Sequence, residues 1–249
     1  MIELTTERLA GIECLHAAPA GQRQQRLPTV VFYHGFTSSK EVYAYFAVAL
    51  AQAGFRTLMP DADMHGARYN GDADARFSHF WDILKQNIDE FPLIEAALRA
   101  DDLIAGDRLA VAGASMGGMT ALGVMARYAH IHSVACMMGS GYFMQLSHTL
   151  FPPVTVTGPE QQAQFTKRMA PLADYDPAAR LHNLADRPLL LWHGEADEVV
   201  PFAETQRLQR ALHEHRLDAH LVSLSEKHIG HKITPSGLTA LVSFFKRQL

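Results

Sequence analysis

The stretch Arg108-Leu109-Ala110-Val111-Ala112-Gly113-Ala114-Ser115-Met116-Gly117 decides how this chain folds. Its first half is a short, mainly apolar run, which is typical of a buried parallel strand. Its last five residues read G-x-S-x-G, the pattern that presents a serine on a sharp turn between a strand and a helix. The backbone at such a serine is strained, so the positions two residues away must be nearly free of side chains. Apolar residues at helical spacing follow from Met119 to Arg127, and this context favours Ser115 as a nucleophile.

Apolar, strand-like runs alternate with amphipathic helical runs along the rest of the chain. This pattern predicts an α/β fold, with a mostly parallel central sheet flanked by helices. Residues 2–16 predict a hairpin of edge strands. Further strands are predicted at 29–34, 55–60, 108–112, 133–138, 188–193 and 220–224, and helices at 41–53, 76–100, 119–127, 160–169, 202–215 and 235–249. Pro92 predicts a break or kink in the helix at 76–100, because proline lacks the N–H that a helix interior needs.

The segment from Gly139 to Arg187 departs from this alternation, since it contains no clear strand and carries several prolines. A structureless connection of this length is improbable in a compact domain. We therefore predict one domain over residues 1–249, with a small helical cap insertion at 140–186 above the carboxyl edge of the sheet. An ordinary crossover with a long loop is the alternative.

The composition argues against several classes of function. Hydrophobic residues make up 48% of the 249 residues and charged residues 19%, which suits a globular domain with a large core. A net charge of −4 without a basic patch argues against a nucleic-acid partner. The first residues lack the apolar region of a signal peptide, and no uncharged apolar run approaches the length of a membrane span. We expect no membrane association.

The cysteines and histidines give no sign of a metal site. Cys14 and Cys136 lie far apart and lack the spacing of metal ligands. Two lone cysteines are typical of reduced, buried thiols, so we expect a cytoplasmic location. The 14 histidines form no H-E-x-x-H motif and no cluster with cysteine, and we expect no bound metal.

A nucleophilic serine needs a base, and the base needs an orienting acid. In G-x-S-x-G proteins of this layout the order along the chain is serine, acid, histidine. His193-Gly194-Glu195-Ala196-Asp197 ends a predicted strand, where a triad acid belongs. We favour Asp197, because its short side chain fixes a carboxylate close to the backbone. Glu195 and Glu198 are the rivals, and a plain turn residue is the alternative role for Asp197.

The base is expected after a further strand, and two histidines follow the one predicted at 220–224. His231 lies just before Ile233-Thr234-Pro235, where the last helix begins. A histidine there points back over the edge of the sheet toward the serine. We favour His231 as the base, and His228 remains the alternative.

The tetrahedral intermediate of acyl transfer needs hydrogen-bond donors that form an oxyanion hole. We expect these donors to be the backbone N–H groups of Phe36 and Met116. Gly35 leaves room for the first to face a substrate, and Met116 begins the helix that follows the serine. His34 is interpreted as a structural histidine that braces this loop. His65, one loop further on, is expected to shape the pocket rim.

Together these residues resemble the α/β-hydrolase superfamily. The resemblance rests on Gly113–Gly117, His34-Gly35-Phe36, His193–Asp197 and His231, and it covers essentially the whole chain. It is closest to small bacterial carboxylesterases near the dienelactone hydrolase and prolyl oligopeptidase branch. Dienelactone hydrolases use a cysteine nucleophile where this chain has Ser115, which argues against their substrate.

The resemblance implies hydrolysis of small acyl esters without a cofactor. Tyr142, Phe143 and Phe151 are candidates to line the pocket, although aromatic residues in this region also suit the core of a cap. The expected function is a serine carboxylesterase acting on a small-molecule, short-chain ester. A small-peptide hydrolase, a thioesterase and an acyltransferase share the same motifs, and a non-catalytic binding module is the alternative outside enzymes. The sequence leaves the oligomeric state open.

Overall fold

The computed structural model describes residues 1–184 and 186–249, and in these residues eight strands form one sheet. The strands are β1 (Ile2–Leu9), β2 (Ile12–Pro19), β3 (Leu27–Tyr33), β4 (Arg56–Pro60), β5 (Ile104–Ala114), β6 (Ser133–Met137), β7 (Leu189–Gly194) and β8 (Leu221–Glu226). Their order is β1-β2-β4-β3-β5-β6-β7-β8. The first two strands form the predicted hairpin and pair antiparallel, as do β2 and β4, and all other neighbours are parallel. The carboxyl ends of β3 and β5 to β8 therefore meet at one edge.

Helices cover both faces of the sheet, as the predicted α/β fold requires. They are α1 (Ala44–Gln52), α2 (Ala73–Ser78), α3 (Phe80–Ala100), α4 (Met116–Arg127), α5 (Phe143–Leu146), α6 (Pro159–Met169), α7 (Phe202–Glu214) and α8 (Pro235–Gln248). Side chains from α3 and α4 pack with Val31 and Val111 on one face. Side chains from α1 and α8 pack with Val30 and Ala110 on the other. Because neighbouring strand residues point to opposite faces, the central strands are buried on both sides.

The long helix predicted at 76–100 is broken, but not at Pro92. It ends at Ser78, and α3 begins at Phe80, with His79 capping both pieces. Pro92 lies inside α3 without interrupting it, so the prediction of a break is wrong, and the alternative of a kink stays a prediction. Proline leaves the carbonyl four residues earlier, that of Ile88, without its helical donor. The hydroxyl of Tyr128 donates to this carbonyl at 3.4 Å, which replaces the missing bond.

The segment between β6 and β7 is helical throughout its described regular structure. It comprises α5, α6 and two 3₁₀ turns at Ala170–Tyr175 and Pro177–Leu184. Trp81 Nε1 donates to the carbonyl of Leu150 at 3.0 Å, and Tyr175 donates to Asp89 at 2.6 Å. The segment therefore packs against the first half of α3, near the edge where the strands end. The predicted cap at 140–186 also includes Ala185, which lies outside the described residues.

None of the helices described is both long enough and apolar enough to cross a lipid bilayer.

Candidate active site

Ser115 occupies the turn between β5 and α4 in a strained backbone conformation. Its φ is 57° and its ψ is −118°, a region that residues with a side chain rarely adopt. The turn requires glycine on both sides. A Cβ on Gly113 would lie 2.3 Å from the carbonyl of Gly117, and a Cβ on Gly117 would lie 2.0 Å from the carbonyl oxygen of Tyr33. These close approaches explain the G-x-S-x-G spacing, because any larger residue would push α4 away from β3.

Replacing Gly117 by alanine is expected to destabilise the protein by about 3 kcal/mol or more, since the new methyl group meets backbone that cannot rotate away. Gly230→Ala is the matched control, because its new Cβ would meet only the carbonyl oxygen of Ala196, at 3.6 Å. Urea denaturation measures both variants. Equal unfolding midpoints for the two would contradict this account of the turn.

The structure brings Ser115, His231 and Asp197 together in one line of hydrogen bonds. The three residues follow β5, β8 and β7, whose carboxyl ends share one edge of the sheet. His231 Nε2 lies 2.8 Å from Ser115 Oγ, and His231 Nδ1 lies 2.6 Å from Asp197 Oδ2. The imidazole thus donates from Nδ1 to the carboxylate and accepts the serine proton at Nε2, which is the geometry of a nucleophile, base and orienting acid.

The carboxylate of Asp197 is buried and has four donors. Oδ1 accepts from the backbone N–H of Val199 at 2.9 Å and of Val200 at 3.0 Å. Oδ2 accepts from His231 and from His193 Nε2, the latter at 3.1 Å. Burial alone raises the pKa of the Asp197 carboxyl, but the hydrogen bonds from His193 and His231 outweigh it and hold the pKa well below its ordinary value. Asp197 therefore stays ionised beside the imidazole.

His193 also belongs to this network, although its place in the sequence predicts no role for it there. It is fully buried, and its Nδ1 accepts from the hydroxyl of Thr205 at 2.8 Å. Its Nε2 proton is shared between Asp197 and the carbonyl of Val200, 2.9 Å away. The four-residue spacing from His193 to Asp197 was the available signal, because a short loop after a strand can fold an acid back onto a residue near the end of that strand.

The rival residues point elsewhere. Glu195 is exposed and accepts from Ser225 Oγ at 2.8 Å, and Glu198 is exposed one residue beyond Asp197. His228 is exposed on a turn with φ 62°, and this turn carries the chain back so that His231, not His228, reaches Ser115.

The loops that carry Asp197 and His231 are joined by their backbones. The N–H of Ala196 donates to the carbonyl of Ile229 at 2.9 Å, and a Cβ on Gly194 would lie 2.4 Å from that same oxygen. Glycine at 194 therefore allows the loop after β8 to lie against the loop after β7. This contact fixes the distance between the carboxylate and the imidazole.

The backbone that carries each of the two predicted oxyanion donors lies close to Ser115. Met116 is the first residue of α4, whose first N–H groups have no partner within the helix. Phe36 follows Gly35, and a Cβ on Gly35 would lie 3.6 Å from the Cβ of Ser115. The backbone that carries the Phe36 N–H thus runs directly beside the serine. A carbonyl oxygen between these groups would be stabilised as it gains charge.

Two neutral histidines hold the loop that carries Phe36. His34 is buried, donates from Nδ1 to the carbonyl of Gly35 at 2.8 Å, and accepts from the N–H of Ala62 at 3.0 Å. His65 accepts from the N–H of Thr37 at Nε2, at 2.9 Å, and donates from Nδ1 to a carbonyl. Each ring therefore has one protonated and one free nitrogen, which is the neutral form. His34 matches its structural interpretation, and His65 braces the same loop from the other side.

Burial lowers the pKa of His65 to about 4. Because the unfolded chain binds this proton near pH 6.5, the contribution of His65 to stability is fully present above pH 6.5 and is lost progressively toward pH 4. We expect a loss of about 3 kcal/mol over this range. The measurement is urea denaturation of the wild type and of His65→Asn, whose amide oxygen can still accept from Thr37. A pH dependence that is equally steep in both proteins would contradict the assignment.

An ion cluster around the buried pair Lys40 and Asp61 joins the same loop to the one after β4. Lys40 Nζ lies 2.6 Å from Asp61, 2.7 Å from Glu41 and 3.0 Å from Glu13. Burial alone would lower the pKa of the Lys40 ammonium, but these three carboxylates outweigh it and raise the pKa. The carboxylates lie close enough together to hold a cation, and the ammonium supplies the positive charge among them. Asp61 also accepts from the N–H groups of Lys40 and Ala67, which anchors both loops.

The three residues predicted to line the pocket have different surroundings. Phe151 is half-buried and packs against Phe36, with ring centroids 5.0 Å apart, so it lies beside a candidate oxyanion residue. Phe143 has no exposed surface and packs in the core against Trp81, which removes it from any pocket wall. Tyr142 is buried under the guanidinium of Arg207, 3.7 Å from the ring centroid. It lines a depression with α7 residues, and its contact with a substrate stays a prediction. The burial of Phe143 argues against the predicted place of that residue in the pocket wall.

Comparisons with known proteins agree with this geometry. The model of the prolyl oligopeptidase family matches residues 47–249. Esterase YjfP of Escherichia coli is 51% identical over the full length of both chains, and putative esterase YitV of Bacillus subtilis is 32% identical, again over both full lengths. The crystal structure of TT1662 from Thermus thermophilus superposes with a TM-score of 0.78 at 25% identity, covering 99% of this chain and 98% of that one.

The fold and the family identify a serine hydrolase with an α/β-hydrolase fold, which confirms the predicted fold class. The chain belongs to the prolyl oligopeptidase family. The resemblance drawn from the sequence motifs is thereby confirmed.

Proposed function

We propose that this protein is a carboxylesterase that hydrolyses small, short-chain acyl esters through an acyl-enzyme. The observation that carries the proposal is the continuous hydrogen bonding from Ser115 Oγ through His231 to Asp197. The names of YjfP and YitV, both esterases or putative esterases, support an ester as substrate.

In the proposed reaction Ser115 Oγ attacks the ester carbonyl while His231 Nε2 takes its proton. Asp197 holds the imidazole in the required tautomer and stabilises its positive charge. The N–H groups of Phe36 and Met116 bind the negative oxygen of the tetrahedral intermediate. The imidazolium then gives the proton to the departing alcohol, leaving the acyl group on the serine. A water molecule, deprotonated by the same histidine, attacks this acyl-enzyme and releases the acid.

An aromatic surface beside the oxyanion loop suits a modest acyl group. Phe36, Phe80 and Phe151 pack with ring centroids 4.9 to 5.0 Å apart. Phe77 packs edge-on against Phe36 at 5.3 Å and is 42% exposed. Apolar surface open to solvent next to a reactive carbonyl favours an apolar acyl chain.

The test is a series of p-nitrophenyl esters from acetate to decanoate, beside a thioester and a small-peptide amide of matched acyl group. We expect turnover of the esters, with the highest kcat/KM at short chains. Preferential cleavage of the peptide amide or the thioester would overturn the proposal in favour of those activities. Ester formation from an added alcohol in excess of hydrolysis would indicate an acyltransferase.

We also infer a cytoplasmic location from the two thiols. Cys14 and Cys136 are both free and buried, and burial raises the pKa of each to about 12, so both stay protonated and unreactive. Cell fractionation with an antibody to the protein tests this inference, and recovery outside the cytoplasm would contradict it.

A further inference from the structure

A cleft beside His231 has no role in the reaction proposed above. Its volume is about 250 Å³, below the roughly 300–1,000 Å³ of pockets that hold drug-sized molecules. Its apolar walls are Val42, Tyr43, Tyr45, Met138 and Ile233, and the imidazole of His231 forms part of the wall. We call it the His231 cleft.

The His231 cleft borders the proposed base directly and borders Gly35 through Tyr43. The imidazole that lines it is 2.8 Å from Ser115 Oγ. The Tyr43 hydroxyl lies against Gly35, where a Cβ would be 2.8 Å from it, and Gly35 in turn borders Ser115. A group bound in the cleft is therefore within reach of both the base and the serine.

The direction of proton transfer decides which half of an ester enters this cleft. His231 Nε2 carries the proton after attack and delivers it to the oxygen of the departing alcohol. That oxygen must come within hydrogen-bond distance of Nε2, so its substituent extends along the wall that His231 shares. The acyl group stays bonded to Ser115 and, in the function proposed above, packs against the aromatic surface at Phe36.

We propose that the His231 cleft binds the alcohol portion of the ester and favours an uncharged apolar group about the size of a benzyl group. This assignment rests on the esterase function proposed above. Val42 is 63% exposed and Tyr45 is 44% exposed, so both present apolar surface that a ligand would cover. The rings of Tyr43 and Tyr45 lie nearly parallel, 21° apart, and offer an aromatic alcohol a face to pack against. None of the described lining residues is acidic, and Lys232, the lysine among them, is exposed.

The test separates the two halves of the substrate. Benzyl acetate and ethyl acetate share the acyl group, whereas p-nitrophenyl acetate and p-nitrophenyl hexanoate share the alcohol. We expect Tyr45→Ala to lower the benzyl-to-ethyl ratio of kcat/KM about tenfold, because one aromatic contact is lost. The acetate-to-hexanoate ratio should stay within about twofold. Val42→Asp, which puts a carboxylate on the same wall at a more exposed position, is expected to lower the benzyl-to-ethyl ratio as well.

Phe77→Ala is the matched control, since Phe77 is an aromatic residue of nearly the same exposure that packs against Phe36 and does not line the cleft. It is expected to change the acetate-to-hexanoate ratio and leave the benzyl-to-ethyl ratio within about twofold. A uniform loss across all alcohols in Tyr45→Ala and Val42→Asp, or a shift in their acyl preference, would overturn the cleft assignment alone. Absence of turnover of every ester by the wild type would overturn the proposed function and the cleft assignment with it.

Discussion

Ser115→Ala is expected to lower kcat for p-nitrophenyl acetate by about 10⁶-fold, which leaves only the residual rate that the oxyanion hole and substrate binding support. The reason is that His231 and Asp197 act only through the serine hydroxyl. His231 Nε2 has its proton donor 2.8 Å away at Ser115 Oγ, and removing that oxygen leaves the imidazole without a nucleophile to activate. Members of a triad that act as a unit do not compensate for one another, so the loss of one costs nearly the full effect.

The variant should fold normally, because the position of Ser115 is set by its backbone. The N–H of Ser115 donates to the carbonyl of Met137 at 2.8 Å, and alanine keeps this bond. Ser236→Ala is the control, since Ser236 is exposed on α8 and bonds only surface groups. A fluorophosphonate probe should label the wild type and Ser236→Ala at residue 115 and leave Ser115→Ala unlabelled. Retention of more than about 1% of activity by Ser115→Ala would exclude this serine as the nucleophile.

The turn at Ser115 can be predicted from sequence because its constraints are local. Gly113 and Gly117 are required by contacts within five residues and with the adjacent strand β3. The order of elements can be predicted as well, since buried parallel strands are short continuous apolar runs that alternate here with amphipathic helical runs. The acid at Asp197 could be chosen for the same reason, because it directly follows such a strand.

The base and the pocket depend on contacts that spacing does not encode. His228 and His231 are three residues apart in one loop, and the positive φ of His228 decides which reaches the serine. Phe143 and Phe151 are the same residue type eight positions apart, yet one is in the core and the other is half-buried beside Phe36. Only the packing of the segment between β6 and β7 against α3 distinguishes them.

Pro92 illustrates the same limit in the scaffold. The hydroxyl that replaces its missing helical bond comes from Tyr128, which is 36 positions further along the chain. A local rule about proline is correct for the isolated helix, and a tertiary contact overrides it here. The cleft lined by Val42 and Tyr45 could not be predicted from the sequence either. The sequence predicts a helix from residue 41, whereas the helix begins at Ala44.

Asp197→Asn is expected to lower kcat by about 10⁴-fold while leaving the loop in place. The amide oxygen of asparagine can still accept from the N–H groups of Val199 and Val200, as Oδ1 of the carboxylate does. The NH₂ group takes the place of Oδ2, which lies 2.6 Å from His231 Nδ1. It therefore donates a hydrogen bond to Nδ1. The imidazole is forced to carry its proton on Nε2, where it cannot accept from Ser115. The substitution thus changes the tautomer of the base without removing any of the three side chains.

Glu198→Gln is the matched control, because it makes the same chemical change on an exposed carboxylate one residue away. Glu198→Gln is expected to keep kcat within about twofold of the wild type. Glu195→Gln should behave in the same way, although Glu195 lies in the loop that carries Asp197. The comparison is made on kcat for p-nitrophenyl acetate, with thermal unfolding of each variant as the check on folding. Activity of Asp197→Asn within tenfold of the wild type would show that the carboxylate does not set the tautomer of His231. A large loss of kcat in Glu195→Gln would indicate that Glu195 is the orienting acid. Because Asp197 is held by four donors and Glu195 by a single exposed serine, only the first can keep a carboxylate fixed against the imidazole.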